Sequence, residues 1–284
     1  MAPGRQSQHQ SALRTFEDLG SRPTSGVGEA YSRSCLRRWC SPLLLAITAG
    51  TTTASHTLRS SPAAAPRVSL RVYSEAGCPN CQHLVAGDLN RTLSAAGILD
   101  ILDFRFISFG NAYYLQEECP GYPNYNRTAG VACYQKKCSV DDAPAACTAG
   151  PVVCQHGAAE CAANVLQNCV AAVYPDPAVY APFNYCYEAA YAGGVRAAEA
   201  CAAHCDAMRW EDVAACLGDA DRVDALTAAA ARDTVRQLIP GTPTVVLDGV
   251  ALSDTAALLE QVCGAYSGDA PVGCPAAGSL IETA

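Results

Sequence analysis

The sequence predicts an α/β domain whose two halves are separated by a helical, disulfide-rich insertion. Three observations carry that expectation. A strand–helix–strand pattern has Cys78-Pro79-Asn80-Cys81 at its first junction, and a β-hairpin pattern stands near the end of the chain. Between them, Gly110 to about Leu217 holds eleven cysteines and much alanine, with no good strand.

Val68-Ser69-Leu70-Arg71-Val72-Tyr73 alternates apolar and polar residues, the pattern of a strand with one buried face. Pro79 suits the first position of a helix, and Val85, Leu89 and Leu93 recur at spacing four to give it an apolar stripe. Gly97 stops that helix, and Ile101 to Phe109, rich in aromatic and branched residues, reads as a second, mostly buried strand. A βαβ unit with CxxC where the strand meets the helix is the arrangement of the thioredoxin fold. Thr244 to Leu247, the turn pair Asp248-Gly249 and Val250 to Leu252 supply a hairpin. Ser253 or Asp254 can cap a last helix carrying Ala257, Leu258, Leu259 and Val262.

The chain has 284 residues and a formal net charge of −8, with no basic patch for a phosphate backbone, so nucleic acid is excluded as a partner. Seventeen cysteines are too many for a reducing compartment and point to an oxidising lumen. Sequons at Asn90-Arg91-Thr92 and Asn126-Arg127-Thr128 agree with a secretory route and make Asn90 and Asn126 candidate glycosylation sites. Near the N-terminus, Arg33, Arg37 and Arg38 precede the apolar run Leu43 to Ala49, and Thr52-Thr53-Ala54 offers a small-x-small cleavage site. That run is too short to span a bilayer and fits a signal-peptide core, so no stable membrane span is expected. The long polar stretch ahead of it leaves a bipartite organelle-targeting segment and a gene-model error as alternatives. Residues 1–66 are excluded from the fold, 67–275 form the domain with its insertion at 110–217, and 276–284 are a tail.

Cys78 and Cys81 are the candidate catalytic pair, because two thiols one helical turn apart can close a small disulfide and reopen it. At a helix N-terminus Cys78 would face unpaired backbone N–H groups and the positive end of the helix dipole, both of which favour the thiolate nucleophile. Cys81 would then resolve the mixed disulfide. A zinc half-site and a plain stapling bridge are the competing readings of the motif. Without a second CxxC or a paired histidine to complete four ligands, no metal is expected, and no other cofactor.

Cys154-Gln155-His156-Gly157, with Glu160, Cys161, Asn164 and Cys169 at fixed spacing behind it, gives the pattern C-Q-H-G-x-x-E-C-x-x-N-x-x-x-x-C. On this motif, with the upstream CxxC, Gly110-Asn111-Ala112 after the second strand and Thr242-Pro243 before the third, the chain resembles the gamma-interferon-inducible lysosomal thiol reductases from about Val68 to Cys274. The resemblance implies a lysosomal or secreted disulfide reductase acting on disulfide-containing proteins. It also implies a cis Pro243 that, with Thr242, lies against the CxxC and pairs with an extended substrate; Pro240 is a nearby competitor. Cys154, Cys161, Cys169, Cys186, Cys201, Cys216, Cys263 and Cys274 are expected in structural disulfides, whose pairing the sequence leaves open. Cys205 competes with Cys201 for one family position and is the candidate odd thiol. The four cysteines from Cys119 to Cys147 read as an extra loop. His156 reads as a structural, hydrogen-bonded histidine and His83 as a solvated one. Two alternatives to a reductase stand beside it: a disulfide oxidase or isomerase, and a noncatalytic secreted module in which Cys78–Cys81 is a staple.

Overall fold

The computed structural model describes residues 65–119 and 127–276. All but the last two residues of the expected presequence, together with Asn126 and the tail after residue 276, lie outside them. The described residues form a mixed α/β structure with a helical, disulfide-rich middle.

β1 (Val68–Ser74) leads through a short loop into Pro79–Leu84, which continues through a π-type turn, Val85–Leu89, into Asn90–Leu93. Together these make α1. An α-helix of about 3.6 residues per turn would rotate apolar residues at spacing four off one face, and the wider π turn counters that drift. Val85, Leu89 and Leu93 accordingly all stay buried. The chain reverses at Gly97, whose φ of 79° is open to glycine, passes through the single turn α2 (Ile98–Ile101) and enters β2 (Leu102–Ser108). β2 runs parallel to β1, with Val68 opposite Leu102 and Ser74 opposite Ser108. β5 (Thr244–Leu247) lies antiparallel on the other side of β1, and β6 (Val250–Ala251) completes the order β2-β1-β5-β6. Asp248 and Gly249, with φ of 45° and 84°, make the tight hairpin turn.

Both faces of this sheet are covered. Val68, Leu70, Val72, Phe104, Phe106 and Val245 pack with α1 and with helices of the insertion. Tyr73, Ile107 and Val246 point the other way into a second cluster with Ala230, Ala231 and Val235. The insertion comprises β3 (Tyr113–Tyr114), α3 (Arg127–Cys138), β4 (Val152–Val153), α4 (Ala158–Val173), α5 (Pro177–Ala189), α6 (Gly194–Ala203) and α7 (Trp210–Gly218). The expectation of no strand there is corrected: β3 and β4 pair antiparallel, but two residues are too few to show a period in sequence. Helix also continues beyond Leu217, through the eighteen residues of α8 (Ala220–Gln237), which supplies the second cover of the sheet. The last helix, α9 (Leu258–Ala265), has Ala257 at its N-cap without a side-chain bond. Asp254 instead accepts the N–H of Ala256 at 2.9 Å, shaping the turn ahead of the helix.

Six disulfides join the described residues: Cys119–Cys133, Cys138–Cys147, Cys154–Cys161, Cys169–Cys216, Cys186–Cys201 and Cys263–Cys274. The third closes the start of α4, the fourth ties α4 to α7, the fifth ties α5 to α6, and the last holds the C-terminal segment against α9. Asn90 lies half-buried within α1, and the hydroxyl of Thr92 in its sequon donates to the Asp88 carbonyl at 2.7 Å. Among the described residues no helix is long and apolar enough to cross a membrane.

Candidate active site

The C-terminal ends of β1 and β2 stop at adjacent serines, Ser74 and Ser108, and the chain between β1 and α1 must turn sharply there. Gly77 makes that turn with φ of 74°, and a Cβ on it would fall 2.3 Å from the ring of Tyr191, so only glycine fits. Cys78 follows as the N-cap of α1 and Pro79 fills the next position, where a missing N–H costs nothing. Both Cys78 and Cys81 are thiols, the first 6% exposed and the second fully buried. Burial pushes the Cys81 thiol far above the ordinary cysteine range.

The insertion holds the loop that carries these thiols. Asn164 of α4 accepts the Ala76 N–H at 2.8 Å, and Glu188 of α5 accepts the Gly77 N–H at 3.1 Å. Gln167 donates to the other oxygen of Glu188 at 2.7 Å, and Ser108 is 2.6 Å from Gln167 and 2.9 Å from Asn164. Gln82 of α1 donates to the main chain of Glu188 at 3.0 Å. Burial pushes the Glu188 carboxyl up to about 7, outweighing the donors that favour its charge.

On the opposite side of the loop lies the Cys154–Cys161 segment. Gly157, at φ of 90°, offers α4 no side-chain cap, so Glu160 reaches back to accept the N–H of His156 at 2.6 Å and of Gln155 at 3.3 Å. His156 Nδ1 stands 2.8 Å from Glu160 and 3.8 Å from Glu75. Both carboxylates are fully buried. Burial, with the Glu75 charge beside it, pushes Glu160 up to about 7 while His156 opposes the rise. Donor atoms of Glu75, His156 and Glu160 lie within 4.8 Å of one another, making them the one His and carboxylate set among the described residues close enough to hold a metal.

The third edge is the loop before β5. Thr244 pairs with Tyr73 in the ladder, so Thr242 and Pro243 precede β5 at the end of β1 that leads to Cys78. The Thr242–Pro243 peptide bond is cis, and Pro240 is not in such a bond. The Asn111 side chain joins Thr242 to Gln155, 3.1 Å from the first and 2.7 Å from the second, while its N–H donates to Glu75 at 2.9 Å.

Cys78, Cys81, Thr242 and Pro243 therefore gather at one end of the sheet, whereas the eight cysteines expected in disulfides are all bridged away from that pair. Cys205 is a third thiol, buried in the main core. His83 is exposed. The sequence did not single out Glu75, Gln82, Gln167, Glu188 or Tyr191. The available signal lay in the typed motif itself, since its polar positions Gln155, His156, Glu160 and Asn164 each bond toward this site.

Two stretches, residues 69–138 and 135–205, match the family model described as gamma interferon inducible lysosomal thiol reductase. The chain belongs to that family. A gamma-interferon-responsive lysosomal thiol protein of Arabidopsis thaliana is 26% identical over 237 residues, covering 76% of this chain and 79% of the relative. A gamma-interferon-inducible lysosomal thiol reductase of Carassius auratus is 22% identical over 244 residues, covering 84% and 82%. Membership in the family of thiol reductases supports an oxidoreductase role.

Proposed function

We propose that this protein is a thiol–disulfide oxidoreductase that reduces disulfides in protein substrates through Cys78 and Cys81. The observation that carries the reading is that these two cysteines are thiols one helical turn apart at the start of α1, while twelve others are bridged. The Cys78 thiolate attacks one sulfur of a substrate disulfide, forms a mixed disulfide and expels the other sulfur as a thiolate that takes up a proton. Cys81 then loses its proton and attacks Cys78 Sγ, releasing the second substrate thiol. Two electrons pass to the substrate, and Cys78–Cys81 is left oxidised. Two molecules of a small thiol return it to the dithiol: the first opens the bridge to a mixed disulfide, and the second displaces the enzyme sulfur and leaves with the first as their own disulfide.

Burial of Cys81 keeps it protonated until a substrate is bound, so that it does not compete with Cys78 for the incoming disulfide. The parallel β1–α1–β2 unit, the antiparallel β5–β6 hairpin and the proline loop beside the CxxC support a thioredoxin-like domain, with residues 110–217 as its insertion. Thr242 and Pro243 present the substrate-binding edge. The family's lysosomal relatives and the six disulfides support a lysosomal or secretory lumen.

Trapping tests the assignment. Cys81→Ser is expected to accumulate a mixed disulfide with a disulfide-linked protein on Cys78, seen as a reductant-sensitive band on a nonreducing gel. Cys78→Ser should accumulate none. Trapping by Cys78→Ser alone would reverse the two roles, and trapping by neither would favour a noncatalytic pair.

A further inference from the structure

Resting on the disulfide-exchange reading above, we propose that Asn111 is a positioning residue, which locks the Thr242–Pro243 loop against the loop leading to Cys78 and so sets the edge on which an extended protein substrate docks. Three loops from distant parts of the chain meet at Gly110-Asn111. The Asn111 N–H donates to Glu75 at 2.9 Å, three residues ahead of Cys78. The two hydrogens of its side-chain amide point to two acceptors, Gln155 Oε1 at 2.7 Å and Thr242 Oγ1 at 3.1 Å. The approach is close enough to need glycine beside it. Gly110 has φ of 57°, and a Cβ there would stand 2.7 Å from the Cβ and a carboxylate oxygen of Glu75 and 2.8 Å from the methyl group of Thr242. Thr242 is thus held by packing through its methyl group and by hydrogen bonding through its hydroxyl.

Only an amide answers both acceptors at this reach. Aspartate would offer no hydrogen and would bring a third carboxylate beside the buried Glu75 and Glu160. The bond to Gln155 also gives the first polar residue of the Cys-Gln-His-Gly segment a part in the site: the segment clamped by Cys154–Cys161 is the fixed support against which Asn111 holds Thr242. Preorganisation of this kind favours a partner that must be laid along the loop, and matters little to one that only needs to reach a sulfur.

The test compares two substrates of the full-length protein, with free cysteine as regenerating thiol. One is a two-chain disulfide-linked protein such as insulin, the other a small aromatic disulfide. In Asn111→Ala, kcat/KM on insulin is expected to fall about tenfold, the size of one lost hydrogen bond, through a raised KM, with the small disulfide changed less than about twofold. Thr242→Val keeps the shape, loses only the hydroxyl and should show the same split. Thr242→Ser should retain insulin KM, and the double variant should lose no more than either single one. Should Asn111→Ala fail to fold, the Thr242 pair decides. An equal loss on both substrates, an unchanged insulin KM in Thr242→Val, or additive losses would overturn the proposal. A wild type that reduces neither substrate would instead bring down the reductase reading on which it stands.

Discussion

His156 makes its contacts where a buried carboxylate most needs them. Its ring and its main-chain N–H both reach Glu160, which is fully buried with the Glu75 charge nearby. Replacing it by alanine keeps the main-chain bond and removes the ring, so Glu160 loses one partner in a water-excluded place, at a cost of about 1–3 kcal/mol. His156→Ala is therefore expected to unfold at lower denaturant concentration while its reductase rate stays within about threefold of wild type. A well-folded variant with activity down a hundredfold would make the imidazole part of the reaction. Cys78 and Cys81 are legible in sequence as a candidate pair because their spacing at a helix start is local. Glu75, Asn111 and Glu188 are not, because each acts through space: Asn111 bonds Glu75 from 36 residues away and Glu188 bonds Gly77 from 111. Nothing in the vicinity of Glu188 in sequence marks it as different from any helical glutamate.

At the scale of elements, β1, α1, β2 and the closing hairpin follow from period, proline and turn chemistry, and their placement required no distant partner. β3 and β4 escape notice because two residues carry no period, and the helical stretch runs past Leu217 because α8 covers the sheet with small residues such as Ala230 and Ala231. The disulfides that staple these helices close loops of very different length. Cys169–Cys216 spans 47 residues and Cys154–Cys161 spans 7. Loop-closure entropy of the unfolded chain then assigns about 4 kcal/mol to the longer bridge and about 2 kcal/mol to the shorter. Guanidinium unfolding of the paired variants Cys169→Ala/Cys216→Ala and Cys154→Ala/Cys161→Ala should show the larger loss in the first. The reverse order would mean that the short bridge stabilises through the contacts of Gln155 and His156 rather than through chain entropy.

For the whole molecule, two of the three buried carboxyls beside the CxxC loop, Glu160 and Glu188, tie stability to pH. Glu160 and Glu188 sit at about 7 in the folded protein, each raised first by burial, whereas an unfolded glutamate titrates near about 4.3. The folded state thus binds more protons than the unfolded one between those values, so the stabilisation is complete below the unfolded pKa and is lost as pH rises through about 7. One such carboxyl corresponds to about 2 kcal/mol between pH 5 and pH 7.5. Glu118 works in the opposite direction, its pKa lowered by Lys137, but it is fully exposed to solvent screening. The net charge of −8 adds to the same trend as the buried pair, because acidification relieves repulsion. Glu188→Gln separates the two contributions: it removes a titrating group while a flip of the Gln167 amide restores a donor–acceptor match with its new neighbour. Wild type should withstand more guanidinium at pH 5 than at pH 7.5, and Glu188→Gln should narrow that gap chiefly by gaining stability at pH 7.5. A wild type more stable at pH 7.5, or a gap that the substitution leaves unchanged, would show that these carboxyls do not govern the response.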